Sequence, residues 1–247
     1  MIYQLTEDQL MDYLYCPIYY GIRYNSKIRA ERAVTMPKLV QRVINAFCMK
    51  LMDGEVMRPD IMKRKWDMLC REYEVIMTPE KVREGMGHLF RFYKWAERNE
   101  LRVATIGQTY TIRQLLDGKD YLDYKGSLGI IAVNKYDKPE NLKFWFATRL
   151  PDQADLDLAL KTTLDHVGFE SIYKQQLVGT RVHHLRKDKE FYTTRDSASA
   201  KARVLAVTKN VFKAIKSNIW YPHESPMCQT CQVRDFCLMY GNSTLAI

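Results

Sequence analysis

Residues 228–237 read Cys-Gln-Thr-Cys-Gln-Val-Arg-Asp-Phe-Cys, placing Cys228, Cys231 and Cys237 within one short turn. A C-x2-C turn aims two sulfurs at one point, and a third cysteine five residues on can close over it. Three thiolates leave a tetrahedral or cubane site one ligand short. Cys16 is the candidate for the fourth, because it sits at the end of a helical pattern beside Pro17, where the chain must turn. Cys48 and Cys70 fall inside helical apolar patterns and read as buried hydrophobes. Four thiolates suit a [4Fe–4S] cluster, with zinc as the alternative. Joining Cys16 to Cys228 closes a loop of about 210 residues and removes roughly 4–5 kcal/mol of unfolded-state entropy.

The remaining composition narrows the setting. The 247 residues are 47% hydrophobic, enough for a sizeable core, and no low-complexity stretch speaks for disorder. The start, MIYQLTEDQLMDYL, carries acids where a secretory signal needs bases, and no apolar run reaches the ~18 residues of a membrane span. A cytoplasmic protein with no membrane contact is expected, and reduced thiols there point to metal before disulfides. The 38 basic residues against 29 acidic leave +9, which favours a polyanionic partner such as nucleic acid.

Thr6-Glu7-Asp8-Gln9 is a capping box, with Leu5 as staple, opening a helix that Pro17 ends. Apolar residues then recur at helical spacing over Met36–Met52, followed by helical segments at about Asp60–Val75 and Pro79–Glu97. The methionines of this region read as core filler. From Leu101 the texture is β: strands are expected at Val103–Ile106, Thr109–Ile112, Ser127–Val133 and Leu142–Ala147, with 135–141 as a hairpin loop. A helix over Pro151–Val167, strands at Tyr173–Leu185 and Lys189–Thr193, and a helix over Ala198–Asn218 complete the order. That order predicts an α/β fold of the mixed-sheet α+β kind, as one domain over 1–247 with a helical insertion at 30–98 and a cluster region at 219–247.

The pairing of Tyr13-Leu14-Tyr15-Cys16-Pro17-Ile18-Tyr19-Tyr20 with a Tyr-Pro and Cys-x2-Cys-x5-Cys ending resembles the iron–sulfur nucleases of the RecB/AddB type. CRISPR-associated RecB-like exonucleases share the pattern, and all belong to the PD-(D/E)XK superfamily. The resemblance implies a [4Fe–4S] cluster on Cys16, Cys228, Cys231 and Cys237, a nuclease-like core flanked by helices, and DNA as ligand. An active member needs a carboxylate at the hairpin start and an acid-x-Lys on the next strand, so that two acids hold Mg²⁺ against the phosphate. Here Gly126-Ser127-Leu128-Gly129 puts glycine at the first acid, and Phe146-Ala147-Thr148 is taken for the acid-x-Lys. Gln41 stands for an upstream histidine, Asp155 for a glutamine and Ala159 for its tyrosine partner. The resemblance therefore implies a catalytically degenerate protein.

Asp123-Tyr124-Lys125-Gly126 offers a rival acid-x-Lys, with Asp117 and Asp120 as partner acids, and would make the chain an active exonuclease. Its place before the hairpin favours a solvated turn. The densest basic stretch, with Arg181, His183, Arg186 and Lys187, is the candidate DNA contact. A subunit role in a replication, recombination or phage- or defence-related complex, or a structural docking module without DNA, are the other expectations.

Overall fold

The structure, a computed structural model, describes residues 1–26, 34–116, 118–194, 198–225, 228–229 and 231–239. In chain order the elements begin with β1 (Ile2–Thr6), α1 (Glu7–Tyr15), α2 (Pro17–Asn25), α3 (Met36–Met52), α4 (Pro59–Glu72) and α5 (Pro79–Arg98). Strands β2 (Arg102–Ile106), β3 (Thr109–Leu115), β4 (Tyr121–Ser127), β5 (Ile130–Val133) and β6 (Pro139–Trp145) follow. Then come α6 (Gln153–Asp157), α7 (Leu160–Tyr173), β7 (Thr180–His184), β8 (Lys189–Thr193), α8 (Ala198–Lys216) and α9 (Arg234–Met239). The chain divides into two compact units, one of Met1–Ala33, Thr111–Gly126 and Ala202–Ile247, the other of Val34–Tyr110 and Ser127–Lys201.

In the first unit the capping box at Thr6 forms as its residues predict. Gln9 N–H donates to Thr6 Oγ1 and Thr6 N–H donates to Gln9 Oε1, satisfying two orphan donors at the start of α1. Pro17 ends α1 and then occupies the first turn of α2, where its missing N–H costs nothing; Cys16 lies extended between the two helices. The sheet runs β1-β4-β3, with β1 parallel to β4 in the register Ile2↔Tyr121 to Thr6↔Lys125. Asp123–Gly126 is therefore no solvated turn but the interior of a strand, with Leu122 and Tyr124 fully buried.

The second unit holds a five-stranded mixed sheet ordered β2-β5-β6-β7-β8. β2, β5 and β6 are antiparallel neighbours, while β6 and β7 run parallel and need the α6–α7 crossover between them. Helices α3, α4 and α5 bury Val40, Ile44, Trp66, Phe92 and Trp95 together with Ile130 and Leu142 of the sheet. Gly85 lets α5 approach Trp66: a Cβ there would stand 2.3 Å from the indole. Met57, Met62 and Met77 fill this core as expected, whereas Met49, Met52 and Met68 are exposed.

Several boundaries depart from the sequence reading. The strand expected over Ser127–Val133 is two strands, β4 ending at Ser127 and β5 starting at Ile130. The helix expected from Pro151 is split, because Asp152 caps a short α6 through Asp155 and extended Ala159 interrupts the path before α7. α7 then runs to Tyr173 and stops at left-handed Lys174, so β7 starts only at Thr180.

Candidate functional site

Cys16, Cys228, Cys231 and Cys237 all line one cavity of about 430 Å³ in the first unit, together with Tyr15 and His223. Local packing brings them there. Ile18, Tyr19, Ile22 and Val233 form a buried cluster against which Cys16, Cys231, Phe236 and Cys237 pack. Tyr13 OH donates to Ile219 O at 2.9 Å, Ile18 N–H donates to Tyr221 O at 3.3 Å, and Tyr20 stacks on Trp220 with centroids 5.5 Å apart. The 223–225 backbone turns its amides toward the sulfurs: His223 N–H donates to Cys16 Sγ at 3.5 Å and Ser225 N–H to Cys228 Sγ at 3.4 Å. Burial, then the neighbouring Cys16, Cys231 and Cys228, push the Cys237 thiol up. That thiol resists ionising until a cation offsets the repulsion. Among the described residues no three His, Cys, Asp or Glu side chains converge closely enough for a single metal ion.

In the second unit a polar cluster missed by the sequence reading sits where β5, β6 and α7 meet. Asn141 and Lys143 are two apart on β6 and share a face; Lys161 and Asp165 are four apart on α7 and do likewise. Asp165 is fully buried. Its Oδ2 accepts from Asn141 Nδ2 at 3.1 Å and lies 3.2 Å from Lys143 Nζ, and its Oδ1 lies 2.6 Å from Lys161 Nζ. Lys143 also donates to Thr162 Oγ1, and Lys161 to Ser127 O. A Cβ on Gly129 would meet Asn141 Oδ1 at 3.7 Å, and that oxygen is buried without a hydrogen-bond partner.

The register expected for the acid-x-Lys changes accordingly. β6 ends at Trp145, so Phe146 and Thr148 lie past it, and Phe146 packs edge-on against His88 instead. The residue that faces Gly129 is Asn141, which makes Asn141-Leu142-Lys143 the local amide-x-Lys. The available signal was that spacing, hidden when Asn141 was assigned to the hairpin loop. Gln41 lies on α3 and donates to Asn45 at 2.8 Å, and Asp155 pairs with Arg149 at 2.6 Å.

The described rival acids, Asp120 and Asp123, are each engaged elsewhere. Arg113 clamps Asp123 with bonds of 2.7 and 2.8 Å and holds its carboxyl below the ordinary range. Lys125 donates to Gln4, and Asp120 takes the amino group of Met1 at 2.6 Å. Asp117 lies outside the described residues.

The basic stretch also disperses. Arg181 lies 2.6 Å from Glu140 and 3.5 Å from Glu190, and its guanidinium covers Trp95. His183 is fully buried and stacked on the same indole at 4.8 Å. Arg186 pairs with Glu84 and donates to Phe146 O, while Lys187 is exposed.

No family model and no curated protein matches the chain. Among solved structures it superposes on a Eubacterium rectale protein provisionally named an exonuclease, at TM-score 0.58 and 10% identity, over 99% of this chain and 94% of that one. SSO0001 aligns more loosely, at TM-score 0.41 and 11% identity over 94% and 92% of the two chains, too weakly to bear on the fold. The first likeness shows a shared fold, mixed sheets flanked by helices. At that identity it carries no chemistry. No described helix is long and apolar enough to cross a membrane.

Proposed function

We propose that this protein is a catalytically degenerate, nuclease-like protein that binds DNA without cutting it and carries an iron–sulfur cluster. The observation behind this reading is the cluster around Asp165. Where two acids would hold a divalent ion there stand Gly129 and Asn141, and the one remaining carboxylate lies between Lys143 and Lys161. Lys143 and Lys161 beside that carboxylate put positive charge where a divalent ion would sit, which disfavours Mg²⁺ and suits a phosphate. Lys143 and Lys161 are thus suited to hold backbone oxygens, with the +9 charge adding unspecific attraction.

Cys16, Cys228, Cys231 and Cys237 would hold the cluster. Four thiols lining one cavity are a donor set that a [4Fe–4S] cluster would take, with zinc as the alternative. Bound there, a cluster would cross-link the α1–α2 junction at Cys16 to the chain after Pro222. A non-cutting DNA binder of this build fits a subunit of a replication, recombination or defence-related complex.

The test is incubation of anaerobically purified protein with labelled single- and double-stranded DNA, with Mg²⁺ or Mn²⁺, alongside a gel shift across a salt series. Intact DNA, a salt-sensitive shift and about four irons per chain support the reading. Degradation of the DNA overturns the degenerate assignment, and no shift at low salt overturns DNA binding in favour of a docking module.

A further inference from the structure

A second cavity, of about 410 Å³, opens in the second unit between the β5–β6 hairpin and β8, well within the size of a small-ligand site. Its floor is Glu140, Arg181 and Glu190; Tyr136 and Tyr192 also line it. Trp95 builds the floor from beneath. Its Nε1–H donates to Glu190 at 2.7 Å, and its ring supports the Arg181 guanidinium at 5.2 Å. Glu140 is 4% exposed, and although its Oε1 lies 2.6 Å from Arg181, no well-aligned hydrogen bond reaches that oxygen or Arg181 Nε. Glu140 is thus a buried carboxyl already paired with Arg181, while Arg181 Nε is a buried donor with no hydrogen-bond partner among the described residues.

The walls are held as firmly. Asn134 Oδ1 accepts from the backbone of Tyr136 and Lys138, fixing the turn that carries Tyr136. Tyr192 rests on Gly179, where a Cβ would stand 2.5 Å from its hydroxyl. Burial, then Glu140, push the Tyr192 phenol up, so it stays a neutral donor.

Arg181 already lies between both carboxylates, so a cationic ligand would meet its charge. A flat ligand offering donors to a carboxylate and an acceptor to a guanidinium, with faces for tyrosine to stack on, meets no such penalty. Guanine has that edge: N–H groups for a glutamate and O6 for an arginine. We infer that this cavity is a guanine-reading pocket, which takes the base from a nucleotide or from single-stranded DNA. The inference deepens the DNA-binding reading and rests on it. It also gives Arg181 a role in contacting a base, not a phosphate.

Equilibrium dialysis with the four deoxynucleoside monophosphates tests the pocket, and gel shifts with guanine-containing and all-thymine oligonucleotides test its use on DNA. dGMP is expected to bind at least about tenfold tighter than dAMP, dCMP or dTMP. Tyr136→Ala, at a side chain that is 70% exposed and carries no core, should keep the circular dichroism and weaken dGMP roughly five- to hundredfold. Glu140→Gln should remove the preference for guanine. Equal binding of all four nucleotides, no binding of any, or a Tyr136→Ala variant that binds as before overturns the pocket. If the all-thymine strand shifts while dGMP does not bind, the pocket falls and DNA binding stands. If dGMP binds selectively and no strand shifts, the pocket is supported and the DNA reading falls.

Discussion

Asn141 Oδ1 is the atom that a side chain grown on Gly129 would meet, 3.7 Å from the new Cβ. Gly129, just before β5, thus faces the amide of Asn141 on β6. Gly129 is not among the left-handed glycines, so an L side chain is tolerated there. Gly129→Asp with Asn141→Asp should create a paired-carboxylate site beside Lys143. Titration calorimetry should show Mn²⁺ binding at least about tenfold tighter in the double variant than in the parent. Equal Mn²⁺ affinity in both would mean that the parent holds a metal by other groups.

Asp165 predicts a stability effect that surface pairs do not. It is fully buried, with Lys143 and Lys161 each about one-quarter exposed. Asp165→Asn removes the buried carboxylate that Lys143 and Lys161 both approach and should cost on the order of 3 kcal/mol. The exposed helical pair Lys63–Asp67, 64% and 34% exposed, gives the contrast: Asp67→Ala should change stability by about 0.5 kcal/mol or less. Urea unfolding of the three proteins checks both. Similar midpoints for all would show that the lysines simply swing into water.

How much of this was legible depended on the range of the interaction. The Thr6–Gln9 cap, the α3 stripe of Leu39, Val40, Val43, Ile44 and Phe47, and the cysteine spacing are local patterns, and each can be read along the chain. The β1–β4 pairing joins Ile2 to Tyr121, and no local pattern in Ile2–Thr6 announces a partner that distant. Asn141 was misplaced because Pro139 and Glu140 look like turn residues, yet they pair with Val133 and Ala132 in the ladder. Arg181 and His183 read as basic and exposed. Trp95, 86 residues earlier than Arg181, buries the face they share, which only the packing of α5 on the sheet reveals.

His183 makes that burial measurable. Its fully buried ring is pushed down to about 4, by burial first, with Asp188 and Glu190 opposing weakly. The folded protein therefore keeps the ring neutral while the unfolded chain takes up a proton near pH 6.5. The stabilisation is complete above that pH and is lost as pH falls toward 4, a contribution on the order of 3 kcal/mol. Urea midpoints measured between pH 7.5 and 4.5 should decline, and less steeply in His183→Phe, which keeps the stack on Trp95. His88 is lowered in the same direction by burial and Arg186, so the slope should shrink, not vanish. An unchanged slope in His183→Phe would exclude His183 as its source.

The cysteines divide into two chemical classes that alkylation can separate. Cys48 is fully buried on α3, and burial pushes its thiol up to about 12. At pH 8 almost none of it is thiolate, and no reagent reaches it without unfolding. Cys16, Cys228, Cys231 and Cys237 line an open cavity, so each is within reach of a small reagent once any bound metal is removed. Brief iodoacetamide treatment of chelator-stripped native protein, read by mass spectrometry, should label those four, Cys237 most slowly because its thiol is pushed up, and spare Cys48. If the four carry a cluster, the same treatment before chelation should label them several-fold less, since each sulfur is then bonded to iron. Serine at Cys16 should abolish that protection at the other three, whereas Cys48→Ser should leave it intact. Protection that survives Cys16→Ser would mean that the C-terminal three hold their metal without it.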